Sequence, residues 1–277
     1  MAKKVNKDQM SFLDHLEELR WLLVRSSIGV LVMAAATFFV SDFIFDEIIF
    51  GPVDPQFITY RLFCQVSHVF GVEGLCVEEF PFVIQNTDME GQISMLIWIC
   101  ITAGFILAFP YILYLIWSFV SPALYEKEKK NAQLFIFISS ILFFLGVLFG
   151  YFIIVPLSVN FFATFTISDV IKNEFNLSSY IGMIKTSVLA TGLLFELPIV
   201  IYFLAKLGLV TDEFLRKYRK YAIVIILLVA AIVTPPDVIS QIIVSIPILI
   251  IYEASIFIAG AVVRNQLKDA KQSRRIQ

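Results

Sequence analysis

Six apolar runs dominate the chain, near residues 22–41, 93–118, 132–157, 180–205, 220–234 and 240–262. About 20 consecutive apolar residues are needed to cross a hydrocarbon core as a helix. Lipid offers backbone amides no partner, so such runs must satisfy themselves as α-helices. They far exceed the roughly 9–11 alternating residues of a barrel strand. The reading is therefore an all-α integral membrane protein. Composition agrees: 59% of residues are hydrophobic and 16% charged, against about 45–50% and about 25% in soluble domains. The first run is too long for a signal-peptide core of roughly 7–15 residues, so it is expected to stay in the protein.

Five runs are long enough to span. The fifth, "YAIVIILLVAAIV", rises only about 20 Å against a core of about 30 Å. Charge decides in its favour. Of the 21 lysines and arginines, all but Arg61, Lys172 and Lys185 fall in the N-terminal segment, the second loop, the fourth loop or the tail. The positive-inside rule then puts both termini in the cytoplasm, which requires an even number of spans. Six spans are expected, the fifth and sixth of them short, with a cytoplasmic amphipathic helix over 1–21, a long external loop over 42–92 and a tail over 263–277. Short spans must thin the bilayer or shelter among neighbours.

The first external loop is acidic and holds Cys64 and Cys76, with His68 between them. In an oxidising compartment such a pair suits a disulfide. Two free thiols, or a loosely spaced three-ligand metal site, remain open alternatives. Cys100 falls inside the second span, as a small hydrophobe would.

Four stretches carry polar groups of interest. In "SFLDHLEELRWLLVR", apolar residues recur at helical spacing, with His15 and Glu18, three apart, on a more polar side. Periodicity alone makes this an interfacial helix. In "WSFVSPALYEKEKK", Pro122 ends a span and Glu126 and Glu128 lie among lysines, as in a solvated loop. In "TGLLFELPIV", Glu196 sits inside a span, two residues before Pro198. An intramembrane carboxylate costs roughly 2.5–3.5 kcal/mol, which points to function. Pro198 also leaves the Leu194 carbonyl without its intrahelical donor, and Gly192 permits another helix to approach. A hydrogen bond inside the bundle is the plainer reading of Glu196. In "TPPDVISQ", Thr234, Asp237 and Gln241 cluster at a tight turn, and Glu253 is a second carboxylate within a span.

The sequence has no zinc-protease motif, phosphate-binding glycine loop or nucleophile elbow. No cofactor or metal is expected, and the chain does not read as an enzyme. Its basic patches flank membrane spans, so nucleic acid is not an expected partner. On charge and topology alone, a proton-coupled secondary transporter using Glu196 and Glu253 remains the alternative, although the paired broken helices of such repeats are not evident.

Taken together, the motifs resemble the TatC family, the multi-spanning core of the twin-arginine protein translocase. The resemblance rests on "HLEELR" at 15–20, Pro52, "FPYILYLIWSFVSPALYEKEKK" at 109–130, "YFIIVPL" at 151–157 and "FELPI" at 195–199. It continues through "LVTDEFLRKYRKY" at 209–221, "TPPDVISQ" at 234–241 and "IPILIIYE" at 246–253. It implies a concave, glove-like bundle in the bacterial cytoplasmic membrane. Glu18 and Glu128 would bind the two arginines of a signal peptide, with Phe119, Pro122 and Tyr125 shaping that site. Glu196 would face the concavity. Thr234 and Gln241 match contact positions for single-span TatA-type and TatB-type subunits. His15, Arg20, Pro52, Pro198, Asp237 and Glu253 would support the architecture. Energy would come from the proton-motive force, and self-association stays open. The sequence departs from the family pattern at Leu22, where a second basic residue is common, and in the length of its first external loop.

Overall fold

The computed structural model of the chain describes residues 12–70, 80, 82–120, 132–168 and 170–276. Helix α1 (Phe12–Phe38) leads through a π-helical stretch, Ile44–Ile49, and a tight turn, Gly51–Val53, to α2 (Ile58–Phe70). Strand β1 (Val83–Gln85) and helices α3 (Gly91–Val120) and α4 (Ala132–Phe149) follow. A π-turn, Gly150–Ile154, joins α4 to α5 (Val155–Thr164). After β2 (Glu174–Asn176) come α6 (Leu177–Phe195) and α7 (Leu197–Lys206). Helices α8 (Asp212–Lys217), α9 (Arg219–Val233) and α10 (Val238–Ile276) complete the chain.

Among the described residues, five helical segments are long and apolar enough to cross a membrane: Leu16–Phe38, Gly91–Val120, Gln133–Thr164, Leu177–Lys206 and Ser240–Lys268. The expected fifth span, α9, is outside this set, whereas the sixth, expected to be short, runs 29 residues over Ser240–Lys268. The 15 residues of α9 rise about 22 Å, against about 30 Å of hydrocarbon. The architecture is α-helical and multi-spanning, apart from a parallel ladder pairing Val83 with Glu174 and Gln85 with Asn176. Lys185, one of the three basic residues outside those regions, lies within α6. The interfacial helix expected before the first span is continuous with it in α1, and α10 runs unbroken through most of the expected tail.

The chain divides into two compact units. The first joins Met1–Phe45 with Asp88–Ile141. Here α1 and α3 run antiparallel, with Gly29 against Tyr111, Gly104 against Ala34, and Thr37 donating to the Cys100 carbonyl at 3.2 Å. Small residues let the backbones meet where lipid supplies no hydrophobic drive.

The second unit joins Asp46–Thr87 with Leu142–Gln277. Its core centres on α10, where Val244, Ile248, Ile256 and Ala259 pack against Ala205 of α7 and Ala230 of α9. Gly192 of α6 meets α4, since a Cβ there would lie 2.8 Å from the Phe143 ring. The 46–87 segment is tied to the spans by hydroxyl groups. Thr59 donates to the Phe152 carbonyl at 2.6 Å, which Pro156 cannot serve because it lacks an N–H. Tyr60 donates to the Pro52 carbonyl at 2.8 Å, and Tyr180 to the Ile49 carbonyl at 2.6 Å. Burial pushes the Tyr60 phenol well above its ordinary range. The rings of Phe82 and Phe175, the latter in the ladder, pack at a 55° tilt with centroids 4.6 Å apart. Cys64, on α2, is disulfide-bonded, and Cys100 is free and buried. Cys76, the expected partner, lies outside the described residues.

Candidate functional site

The candidate residues fall into separate groups. Glu18 is half-buried on the first turns of α1, and Arg20 beside it is exposed. The α1–α3 register brings 29 level with 111, 34 with 104 and 37 with 100. Continued toward the start of α1, it sets Glu18 level with the end of α3, where Phe119 is half-buried. The sequence thus brings one carboxylate and one aromatic residue, a hundred positions apart, to the same end of one helix pair. Pro122, Tyr125 and Glu128, and the side chain of His15, lie outside the described residues.

Glu196 is 7% exposed. It stands at a break: α6 ends at Phe195 and α7 begins at Leu197. Its N–H bonds the Leu193 carbonyl at 3.2 Å, a tightened final turn, while its own carbonyl accepts from Ile199 and Val200 at 3.0 and 3.1 Å. The break that Pro198 implies therefore falls at Glu196 itself, with buried Pro198 opening the next helix. The carboxylate is attached to the pivot of the helix rather than to its flank.

At the α9–α10 turn, Asp237 caps α10, its Oδ2 accepting from the Ser240 N–H at 2.7 Å. Thr234 is buried and donates to the Ala230 carbonyl at 2.8 Å. Gln241, half-buried, donates to the Leu227 carbonyl at 3.2 Å and so links the two helices. Both side chains already brace the hairpin, and both keep an oxygen able to accept. Pro52 is buried beneath Tyr60.

Glu253 is ion-paired with Arg219, the first residue of α9, and both side chains are partly exposed. The pair holds the start of α9 to α10, close to Tyr252, which donates to the Leu215 carbonyl at 3.0 Å. A partly exposed, cation-paired carboxylate is a poor intramembrane proton relay. The sequence placed Arg219 in a loop, 34 positions from Glu253, with no periodicity to link them. Thr59, Tyr60 and Tyr180 were also missed, since isolated hydroxyl groups carry no pattern.

Among the described residues no group of three His, Cys, Asp or Glu side chains is placed to hold a metal ion. The arrangement is a multi-spanning helical membrane protein whose polar side chains brace helix ends and present a carboxylate at one end of a helix pair. Comparison with known proteins then defines the family. The model of the Sec-independent protein translocase protein TatC matches residues 14–247. A TatC from Blattabacterium sp. subsp. Periplaneta americana is 43% identical over 258 residues, covering 92% of this chain and 97% of that protein. The Aquifex aeolicus TatC is 34% identical over 259 residues, covering 93% and 98%. A crystal structure of the twin-arginine translocase receptor TatC superposes with a TM-score of 0.68 at 33% identity, covering 90% of this chain and 99% of that one. The chain belongs to the TatC family. It is a core, receptor-type subunit of a twin-arginine translocase, non-catalytic and embedded in the bacterial cytoplasmic membrane. That membership displaces the small-solute transporter reading.

Proposed function

We propose that this chain binds twin-arginine signal peptides through Glu18 and Glu128 at its cytoplasmic face. Guanidinium groups pair with carboxylates through charge-assisted, often bidentate hydrogen bonds. The observation that carries the reading is the half-buried Glu18, level with Phe119 at one end of the α1–α3 pair. Partial burial screens a charge less than full exposure does. The chain crosses the membrane six times with both termini inside, α9 serving as the short fifth span, in the concave bundle the family resemblance implies. TatA-type and TatB-type single-span subunits dock on α9 and α10 near Thr234 and Gln241, and Glu196 receives a polar group within the membrane. The proton-motive force drives export of folded cargo.

Glu18→Gln combined with Glu128→Gln tests the arginine-reading site. Site-specific crosslinking from neighbouring positions to a twin-arginine signal peptide should be lost, while complex assembly is retained. Undiminished crosslinking would sink the assignment.

A further inference from the structure

The joint between the span ending at Lys206 and helix α9 exposes apolar, aromatic and basic side chains together. Leu207 and Leu209 are exposed, Leu209 by 68%, on either side of Gly208, whose φ of +73° makes a left-handed turn. Phe214, Tyr218 and Tyr221 are exposed as well. Their rings form one row, with centroids 4.6 Å and 6.0 Å apart. Interleaved with the rings is "RKYRK", residues 216 to 220.

Two of the four cations are engaged within the fold. Arg216 pairs with Asp212 at 3.9 Å, and its guanidinium lies 6.0 Å from the Phe257 ring centroid. Arg219 pairs with Glu253. Lys217 and Lys220 are exposed and have no ion-pair partner among the described residues, although Glu213 stands one turn before Lys217. Each ammonium sits instead beside a tyrosine, 6.0 Å from the Tyr218 centroid and 5.1 Å from that of Tyr221. A ring face attracts a cation but leaves its N–H donors in need of acceptors.

The flanking helices set the depth. The crossing Leu177–Lys206 ends where the joint begins, and the apolar part of α9 starts just after Tyr221. The joint therefore lies where acyl chains give way to headgroups. This placement needs only the crossing that ends at Lys206 and does not depend on α9 crossing in turn.

We infer that this joint docks an anionic glycerophospholipid, whose headgroup phosphate is bound by Lys217 and Lys220. Aromatic rings at such a boundary settle at headgroup level. Apolar area combined with basic charge is what holds a segment against an anionic surface. Lipid satisfies both classes of side chain at once, the phosphate matching the lysines and the acyl chains covering Leu207 and Leu209. An acidic protein segment matches the lysines alone. The inference is independent of the signal-peptide reading, which uses residues of the other compact unit.

The test uses the full-length chain in phosphatidylcholine nanodiscs doped with a photoactivatable lipid. The probe carries a phosphatidylglycerol or a phosphatidylcholine headgroup on the same diazirine-bearing acyl chain. Crosslinked peptides are mapped by mass spectrometry after irradiation. Label on 207–221 is expected to favour phosphatidylglycerol by about fivefold for each lysine that engages it. Lys217→Gln combined with Lys220→Gln should remove that preference, with phosphatidylcholine labelling and the melting midpoint unchanged. Lys172→Gln, an exposed cation elsewhere in the same unit, should leave it intact. Equal labelling by the two lipids, or a preference that survives in the double variant, overturns the inference. Displacement of the label by inorganic phosphate at constant ionic strength assigns the lysines to a free anion and overturns it too. So does a photo-reactive amino acid in place of Glu213 that captures protein and no phospholipid in native membranes.

Discussion

Gly104 sets how closely α1 and α3 approach, and Gly104→Ala tests that seam. An added Cβ would lie 2.6 Å from the Ala34 nitrogen, 2.8 Å from its Cα and 2.8 Å from the Val30 carbonyl oxygen. Favourable separations are about 3.5–4.0 Å. All three neighbours are backbone atoms, so no rotamer change relieves the clash, and α1 must retreat by about 1 Å. A gap of about 0.5–1 Å forfeits a quarter to a half of each contact's dispersion energy. Overpacking of this kind costs about 1–3 kcal/mol. At about 2–4 °C per kcal/mol, the melting midpoint falls by about 2–12 °C. Gly182→Ala is the matched control. Its Cβ meets open space, and replacing a mid-helix glycine gains about 0.5–1 kcal/mol. A thermal melt with a thiol-reactive dye reads the seam directly. Cys100 is free and buried, one turn before Gly104, while Cys64 is held in a disulfide. Equal midpoints for the two variants, or an unshifted Gly104→Ala, would refute the packing argument. Under the proposed signal-peptide reading the seam would also bear on recognition, because α1 carries Glu18 and α3 carries Phe119.

Tyr60→Phe removes the donor to the Pro52 and Pro156 carbonyls and should cost about 1–3 kcal/mol, read by chemical denaturation. Because burial raises the Tyr60 pKa above its ordinary 10.0, the folded state keeps a proton that the unfolded chain surrenders. Its contribution is complete below pH 10 and declines as pH rises further, a decline that the phenylalanine variant should lack. Asp237→Ala removes the cap on α10 and should cost about 0.5–2 kcal/mol, whereas Asp237→Asn should cost much less. Hydrogen exchange at the first turn of α10 reports the difference.

Hydropathy located every long helix because a span must be apolar along its whole length. Glu196 and Pro198 signalled the break in the fourth crossing, because a missing N–H has only local consequences. Helix α2 has only 13 residues, too few to cross a membrane, so span hydropathy leaves it inside the first external loop. Its Thr59 and Tyr60 bonds depend on carbonyls 96 and fewer positions away that only the assembled fold exposes. The partner of Glu253 was illegible for the same reason: an ion pair with Arg219 depends on how α9 folds back on α10, which composition does not encode.

The hydroxyl bonds and the short ladder also impose an order on biogenesis. Val83–Gln85 find their partners only at Glu174–Asn176, and the Ile49 carbonyl waits for Tyr180, 131 positions later. Contacts of such sequence separation form late. The first long loop therefore emerges from the ribosome well before it can assemble, and it is exposed to proteases and oxidants in the interval. A nascent chain arrested before Tyr180 should leave that loop cleavable, and release past it should close the window in one step.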